Sequence, residues 1–242
     1  MGRRSVEALS SEAKERLRVV STATLSTLLF KRGLRNTWLH GVKRVSGAKA
    51  NMVGEAFTLR NIPCREDLDQ VSVFESLEHP QRKAFDTTPA GSVLVIDCRG
   101  DTHAASGGGI LTTRLKVRGA AGLVTDGCLR DSDEIARMDF PVYSAGAAAP
   151  LNLARHHAVE YNVPIGCGGV AVYPGDIVVG DADGVVVVPR HLADELSREA
   201  LEMERLERFV TEEIERGRPL IGTYPPAPEV RARYNEWTKK AD

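Results

Sequence analysis

Gly119-Ala-Ala-Gly-Leu-Val-Thr-Asp-Gly-Cys-Leu-Arg-Asp131 is the stretch on which both the fold and the chemistry turn. Its apolar run ends in Thr125-Asp126-Gly127, which reads as a buried strand closed by a sharp Asp-Gly turn. Four residues beyond Asp126 stand Arg130 and Asp131, side by side. A guanidinium and a carboxylate just past a strand end suit a site that grips an anion with a planar fork and holds a hard cation with an oxygen ligand. The alternative is a surface ion pair in a turn.

Upstream, Ser92-Val-Leu-Val-Ile-Asp97 reads as a second buried strand, ended by Arg99-Gly100. Gly107-Gly108-Gly109 opens a helix with Leu111 and Leu115 on one face, and Gly119 closes it before a strand over 121–125. Strand, glycine loop, helix and strand in that order make a parallel crossover. The loop and the Arg-Asp pair then fall on one edge of the sheet, where open α/β folds bind ligands. Consecutive glycines bring backbone N–H groups close to a ligand, and a helix N-terminus favours negative charge. Set against Arg130, the loop forms a two-sided clamp for a 2-oxo acid; a tight turn with no ligand is the alternative. The loop matches neither G-x-G-x-x-G with its distant acid nor a P-loop, so nucleotide binding has little support.

Further out, residues 6–33 read as helical, with Ser21 or Thr22 capping a second helix through Leu25, Leu28 and Leu29 that stops at Gly33. Residues 52–60 are strand-like, and 63–90, broken by Pro63, Pro80 and Pro89, suit a loop with a short helix. A short helix starts at Ser132, where Asp133 and Glu134 favour its dipole. Pro141–Ser144, Val170–Tyr173, Ile177–Val179 and Val185–Val188 read as strands, with turns at Pro174-Gly175-Asp176 and Asp181–Gly184. A long charged helix runs from His191 to Gly217, with Leu196, Leu201, Leu206 and Phe209 inward. Residues 1–217 form one domain on this reading. Residues 218–242, with Pro225, Pro226 and Pro228 and then Tyr234 and Trp237, form an extended C-terminal arm whose aromatics need a surface to pack on.

The chain has 242 residues, 42% hydrophobic and 27% charged, with a formal net charge of −1. That balance speaks against a generic nucleic-acid binder, which carries a basic excess. No segment approaches the roughly 18 apolar residues of a membrane span, and charges interrupt the start too early for a secretory leader. Gly2 with Val6 does not fit the myristoylation pattern, and a cytoplasmic address is expected. Cys64, Cys98, Cys128 and Cys167 are scattered without a C-x-x-C pair, so reduced thiols are expected, and a nucleophilic Cys128 is not favoured. No G-x-S-x-G elbow is present. His103, His156 and His157 read as loop or surface residues before acids or ligands. Asp176, Asp181 and Asp183 fit hairpin turns better than a calcium loop.

Together these residues resemble the RraA-like family, which includes the regulator of ribonuclease E activity and the class II 4-hydroxy-4-methyl-2-oxoglutarate aldolases. The resemblance runs from about Ser21 to Gly217. It is carried by Ser21–Ser26, Val53–Thr58, Gly108, Arg118–Gly122, Asp126–Asp131, Phe140-Pro141-Val142 and Pro174–Pro189. It implies an α/β, β/β/α swivelling-type core with N-terminal helices and a long C-terminal helix. It also implies homotrimers or homohexamers with sites between subunits. By the same resemblance Arg130 binds the pyruvyl carboxylate and keto oxygen, Asp131 anchors Mg²⁺ or Mn²⁺, and the backbone of Gly108, Gly109, Ile110 and Leu111 donates to the pyruvyl group. A glutamate of a neighbouring subunit's last helix joins the metal, and Glu204 or Glu207 matches it. One departure stands out: in the family's aldolases an aspartate is followed by twenty residues and then the Arg-Asp pair, and the aspartate's position is Gly109 here. The regulator lacks the second acid of the pair, whereas this chain keeps Asp131.

The function expected is therefore a divalent-metal-dependent lyase acting on a small 2-oxo acid, by aldol cleavage or decarboxylation through an enolate. A dehydratase of a 3-deoxy-2-oxo sugar acid would use the same enolate. The reading from another class is a non-catalytic regulator with a ribonuclease partner.

Overall fold

The computed structural model of this chain describes residues 9–241; the start of the helical stretch expected from residue 6 lies outside them. In chain order the strands are β1 (Lys43–Arg44), β2 (Met52–Pro63), β3 (Ser92–Asp97), β4 (Gly122–Thr125), β5 (Cys128–Leu129) and β6 (Val142–Ser144). They continue with β7 (Gly146–Ala147), β8 (His156–Tyr161), β9 (Ile165–Cys167), β10 (Val170–Val172), β11 (Ile177–Asp181) and β12 (Gly184–Val188). The helices are α1 (Ser11–Leu17), α2 (Thr22–Lys31), α3 (Pro80–Thr87), α4 (Gly109–Val117), α5 (Ser132–Ala136), α6 (Arg190–Glu215), α7 (Leu220–Thr223) and α8 (Pro228–Ala241).

The main sheet has eight strands, ordered β1-β6-β4-β3-β2-β11-β12, with β8 added to the far half of β2. β2, β3, β4 and β6 run parallel, and β11 and β12 are antiparallel to their neighbours. β3 shows why the layers form. Val93 and Val95 face one side and Leu94 and Ile96 the other, and all four are fully buried. A strand covered on both faces reads as an unbroken apolar run.

On the Val93 side, Met52, Val124, Val178, Val185 and Tyr143 close over the β9–β10 hairpin, so the curved sheet encloses part of its own core. The opposite side is covered in two portions. Leu17, Leu25, Leu29, Leu196 and Ala200 of α1, α2 and α6 seal β11 and β12. Ala84, Phe85, Leu115 and Ile135 of α3, α4 and α5 seal β3 and β4. The second arrangement positions the site, because α4 and α5 both start at the edge where β3 and β4 end.

Ser21, of the two expected caps, closes α2: its Oγ accepts from the Thr24 amide at 3.1 Å. Gly33 ends the helix region at φ +83°. Residues 63–90 hold a 3₁₀ turn (Val71–Glu75) and α3, as their composition implies. The C-terminal arm is a correction. It is helical, not extended: α8 folds back along α6, with Val230, Tyr234 and Trp237 against Phe209 and Val210. Phe209 lies 5.7 Å from the Tyr234 ring and 5.8 Å from the Trp237 ring. Buried Glu213 fastens the hairpin, with Arg218 at 2.7 Å and Arg233 of α8 at 2.9 Å. Three prolines did not prevent a helix because Pro228 sits at its first position, where a missing N–H costs nothing. Among the described residues no helix is long and apolar enough to cross a membrane.

Candidate active site

The carboxyl ends of β3 and β4 are tied together by Asp126. Its buried carboxylate accepts from the amides of Cys98 (2.6 Å), Gly100 (3.0 Å) and Gly168 (3.1 Å). At Gly127 a side chain would meet Cys98 Cβ at 2.7 Å, which is why the turn after Asp126 requires glycine. The chain then re-enters extended structure as β5, alongside the loop that leads to α4. The Ser106 amide donates to the Cys128 carbonyl at 2.8 Å, and the Arg130 amide donates to the Gly107 carbonyl at 3.1 Å. The glycine loop and the Arg-Asp pair thus lie against each other on one sheet edge, as the strand–loop–helix–strand order implies.

Their contact is close enough to explain the glycines. A Cβ on Gly108 would stand 2.5 Å from Asp131 Oδ2 and 2.9 Å from Arg130 Cγ. Asp131 Oδ2 accepts from the Gly109 amide at 3.0 Å and lies 3.8 Å from Arg130 Nε. Asp131 adopts a left-handed conformation (φ 58°, ψ 39°) as the residue that precedes α5. That costs a non-glycine residue about 1 kcal/mol, a strain typical of positions whose side-chain direction matters. Both side chains remain about half exposed, at 49% for Arg130 and 45% for Asp131.

Gly109 also answers for the missing family aspartate. A Cβ built there would run into the carboxylate of Glu134, in the first turn of α5. Glu134 therefore brings an acid to the place where a side chain at 109 would stand. The sequence reading took Glu134 for a dipole residue only; its spacing three residues after Asp131 was the available signal. Among the described residues no three or more His, Cys, Asp or Glu side chains converge as a complete metal cage. Two carboxylates at one helix start are still a hard-oxygen donor pair, the kind that holds Mg²⁺ with substrate and water filling the remaining positions.

A cavity of about 300 Å³ opens beside this constellation, lined by Arg130, Asp131, Gly107, Gly108, Ile110 and Leu111. Val71, Phe74, Gln81, Arg82, Leu151 and Asn152 also line it. Its size is at the lower end for ligand pockets and suits a small acid. The first amides of α4 lack intrahelical acceptors by helix geometry. That of Gly109 is taken by Asp131, leaving those of Ile110 and Leu111 as donors. Gln81 fixes the loop from behind, Nε2 donating to the Ser106 carbonyl at 2.7 Å. Gln81, Arg82 and Asn152 carried no motif that could have flagged them.

The remaining candidates lie elsewhere. Cys128 is buried, and burial and then Asp101 push its thiol pKa up, against a nucleophilic role. Cys98 and Cys167 are buried and free, and burial pushes Cys98 up to about 12. His103 pairs with Asp101 at 2.9 Å and His157 with Asp69 at 2.7 Å, while His156 is fully buried; none lines the cavity. Asp181 caps α2 by accepting from Thr22 N and Oγ1, each at 2.7 Å. Glu204 is likewise used inside the chain, accepting from the Ser21 amide at 2.9 Å and Thr24 Oγ1 at 2.8 Å. Burial and neighbouring Glu204 raise the pKa of Glu207. Neither glutamate lines the cavity of its own chain.

A family model described as RraA-like, Aldolase/RraA, matches residues 22–187. The chain belongs to the RraA-like family. An uncharacterized protein of Methanocaldococcus jannaschii is 32% identical over 186 residues, covering 75% of this chain and 82% of that one. A protein of Azotobacter vinelandii provisionally named 4-hydroxy-4-methyl-2-oxoglutarate aldolase is 33% identical over 146 residues, 60% of this chain and 82% of its own. Among solved structures, an uncharacterized Pseudomonas syringae protein aligns with TM-score 0.76 at 28% identity, over 90% of this chain and 99% of that one. Streptomyces coelicolor RraAS2, described as an unusual member of the RNase ES inhibitor RraA family, aligns with TM-score 0.73 at 30% identity, over 88% and 99%. This RraA-like chain therefore has relatives named for an enzyme and for a ribonuclease inhibitor.

Proposed function

We propose that the protein is a lyase that cleaves or decarboxylates a small 2-oxo acid with a divalent cation, Mg²⁺ or Mn²⁺. The observation that carries this is the packing of Arg130 and Asp131 onto Gly108, at the mouth of a cavity that the N-terminus of α4 also faces. Arg130 presents a planar pair of donors to the substrate carboxylate and keto oxygen. The amides of Ile110 and Leu111 add further donors. As the bond beyond the α-carbon breaks, negative charge grows on the keto oxygen, where the guanidinium and the helix terminus stabilise it. Asp131 and Glu134 are the residues that would hold the cation, which when bound supplies Lewis-acid polarisation of the keto oxygen. Asp131 is oriented for this by the Gly109 amide. Dehydration of a 3-deoxy-2-oxo sugar acid would draw on the same clamp.

In the same reading the site is completed by a second copy of the chain in a trimer or hexamer. Half-exposed Arg130 and Asp131 leave room for it. Glu207 is the better candidate for a shared carboxylate, since Glu204 is already engaged by Ser21 and Thr24 of its own chain. Subunits carrying Arg130→Ala mixed with Glu207→Ala subunits then regain part of the activity; a monomer in light scattering rules this out.

The test of the activity is oxaloacetate decarboxylation with added Mg²⁺ or Mn²⁺, beside a panel of 4-hydroxy-2-oxo acids. Metal-dependent pyruvate release supports the proposal, and no turnover of any of them overturns it. The likeness to RraAS2 over 88% of the chain supports a second reading, a ribonuclease regulator. Capture of a ribonuclease by a protein that binds no metal in calorimetry would favour it.

A further inference from the structure

We infer that the wall of the cavity formed by Arg82 and Asn152 is an anion subsite that selects 2-oxo acids carrying a second carboxylate. The inference rests on the proposed placement of the substrate's 2-oxo end at Arg130, and adds what holds its other end.

Arg82 of α3 sits over the Phe74 ring, its Cζ 4.6 Å from the ring centroid. A cation–π contact of this kind occupies none of the five guanidinium N–H donors in a hydrogen bond to an acid. Nearby acids are engaged by other cations: Glu78 with Lys83 at 2.7 Å and Asp86 with Arg114 at 2.6 Å. Among the described residues Arg82 has no carboxylate partner. Its positive field is felt by buried His79, whose proton affinity is lowered first by burial and then by Arg82.

Asn152 provides the second, independent observation. It is 7% exposed, yet its Nδ2 has no acceptor. Buried amide donors are almost always satisfied, and an orphan one on a cavity wall marks a place for a ligand oxygen. Arg82 and Asn152 line the same cavity as Arg130 and the start of α4. Charge agrees: Asp131 and Glu134 offset a divalent cation, leaving two guanidiniums for two carboxylates.

Two five-carbon probes that differ only at the far end, 2-oxoglutarate and 2-oxopentanoate, separate the possibilities in calorimetric titrations with Mg²⁺ present. The wild type should bind 2-oxoglutarate at least tenfold more tightly. Arg82→Ala, at an exposed position that does not endanger folding, should erase that preference while changing 2-oxopentanoate binding less than twofold. Asn152→Asp should weaken 2-oxoglutarate selectively, and Arg130→Lys should weaken both probes together. Equal binding of the two probes by the wild type, failure to bind either, or a preference that survives Arg82→Ala overturns the subsite. Preference without turnover of any 2-oxo acid would overturn the lyase proposal and uphold the subsite; turnover without preference would do the reverse.

Discussion

Gly108→Ala should separate activity from stability. The backbone at Gly108 is extended (φ −154°, ψ −170°), so alanine meets no strain there. The obstacle lies in the side chains. A Cβ would stand 2.5 Å from Asp131 Oδ2, where 3.4 Å is the onset of ordinary contact, so the carboxylate must retreat by 0.9 Å. Arg130 Cγ, at 2.9 Å, must shift as well. Both side chains are about half exposed and free to swing outward, so the fold itself is not forced to give. The lost Gly109–Asp131 hydrogen bond costs about 1 kcal/mol, and the reduced entropy of the unfolded chain returns roughly 0.4–1 kcal/mol. Net stability should change by less than about 1 kcal/mol. Displacing reacting groups by about 1 Å can cost on the order of 100-fold in rate, or about 2.7 kcal/mol of transition-state stabilisation. Oxaloacetate decarboxylation with Mg²⁺, measured beside a urea unfolding curve, reads both quantities. A wild-type kcat/KM in a folded Gly108→Ala protein would refute the placement of Arg130 and Asp131 in the site.

Arg130→Lys keeps the charge and loses the planar fork, so kcat/KM on any 2-oxo acid should fall at least tenfold, about 1.4 kcal/mol, with the melting curve unchanged. Gly109→Asp should lower activity, because its side chain enters the space held by Glu134; Gly109→Asp with Glu134→Ser should recover part of it, and full activity in the single variant would contradict that geometry. Burial lowers the pKa of His156 and of His79 from 6.5, so as pH falls below that value the unfolded chain takes up protons the folded one refuses. Stability is then full above pH 6.5 and declines below it, by at most about 1.4 kcal/mol per pH unit for each histidine. Urea midpoints at pH 7.5 and 5.5 check the sign, and His156→Gln should flatten part of the slope.

The parts of the fold legible in the sequence were those where burial leaves a periodic trace. Ser92–Asp97, the triple glycine and Gly119–Asp131 announced a parallel crossover, and the structure brings the glycines and the Arg-Asp pair to one edge. The charged face of α6 was equally plain. The C-terminal segment misled because its prolines lie ahead of α8 or at its first position, not in its interior, and because the apolar surface that α8 needs belongs to α6. Residues of the candidate site were legible only where the chemistry is local. Arg130 and Asp131 are adjacent and stand out together, whereas Glu134, three positions on, reads from sequence only as a helix-dipole residue. Arg82 and Asn152 reach the cavity from α3 and from the turn before β8, so only the tertiary fold unites them. Glu204 is a candidate by the family resemblance; its use as a partner for Ser21 and Thr24 depends on how α2 packs on α6.

The most direct measurement of the central claim is a crystal structure of the protein soaked with Mn²⁺ and oxalate, which resembles the enolate of pyruvate. An anomalous peak within coordinating distance of Asp131 and Glu134, with oxalate on the Arg130 guanidinium and the amides of Ile110 and Leu111, is the predicted result. Manganese bound elsewhere, or oxalate absent from Arg130 at saturating concentration, would contradict it.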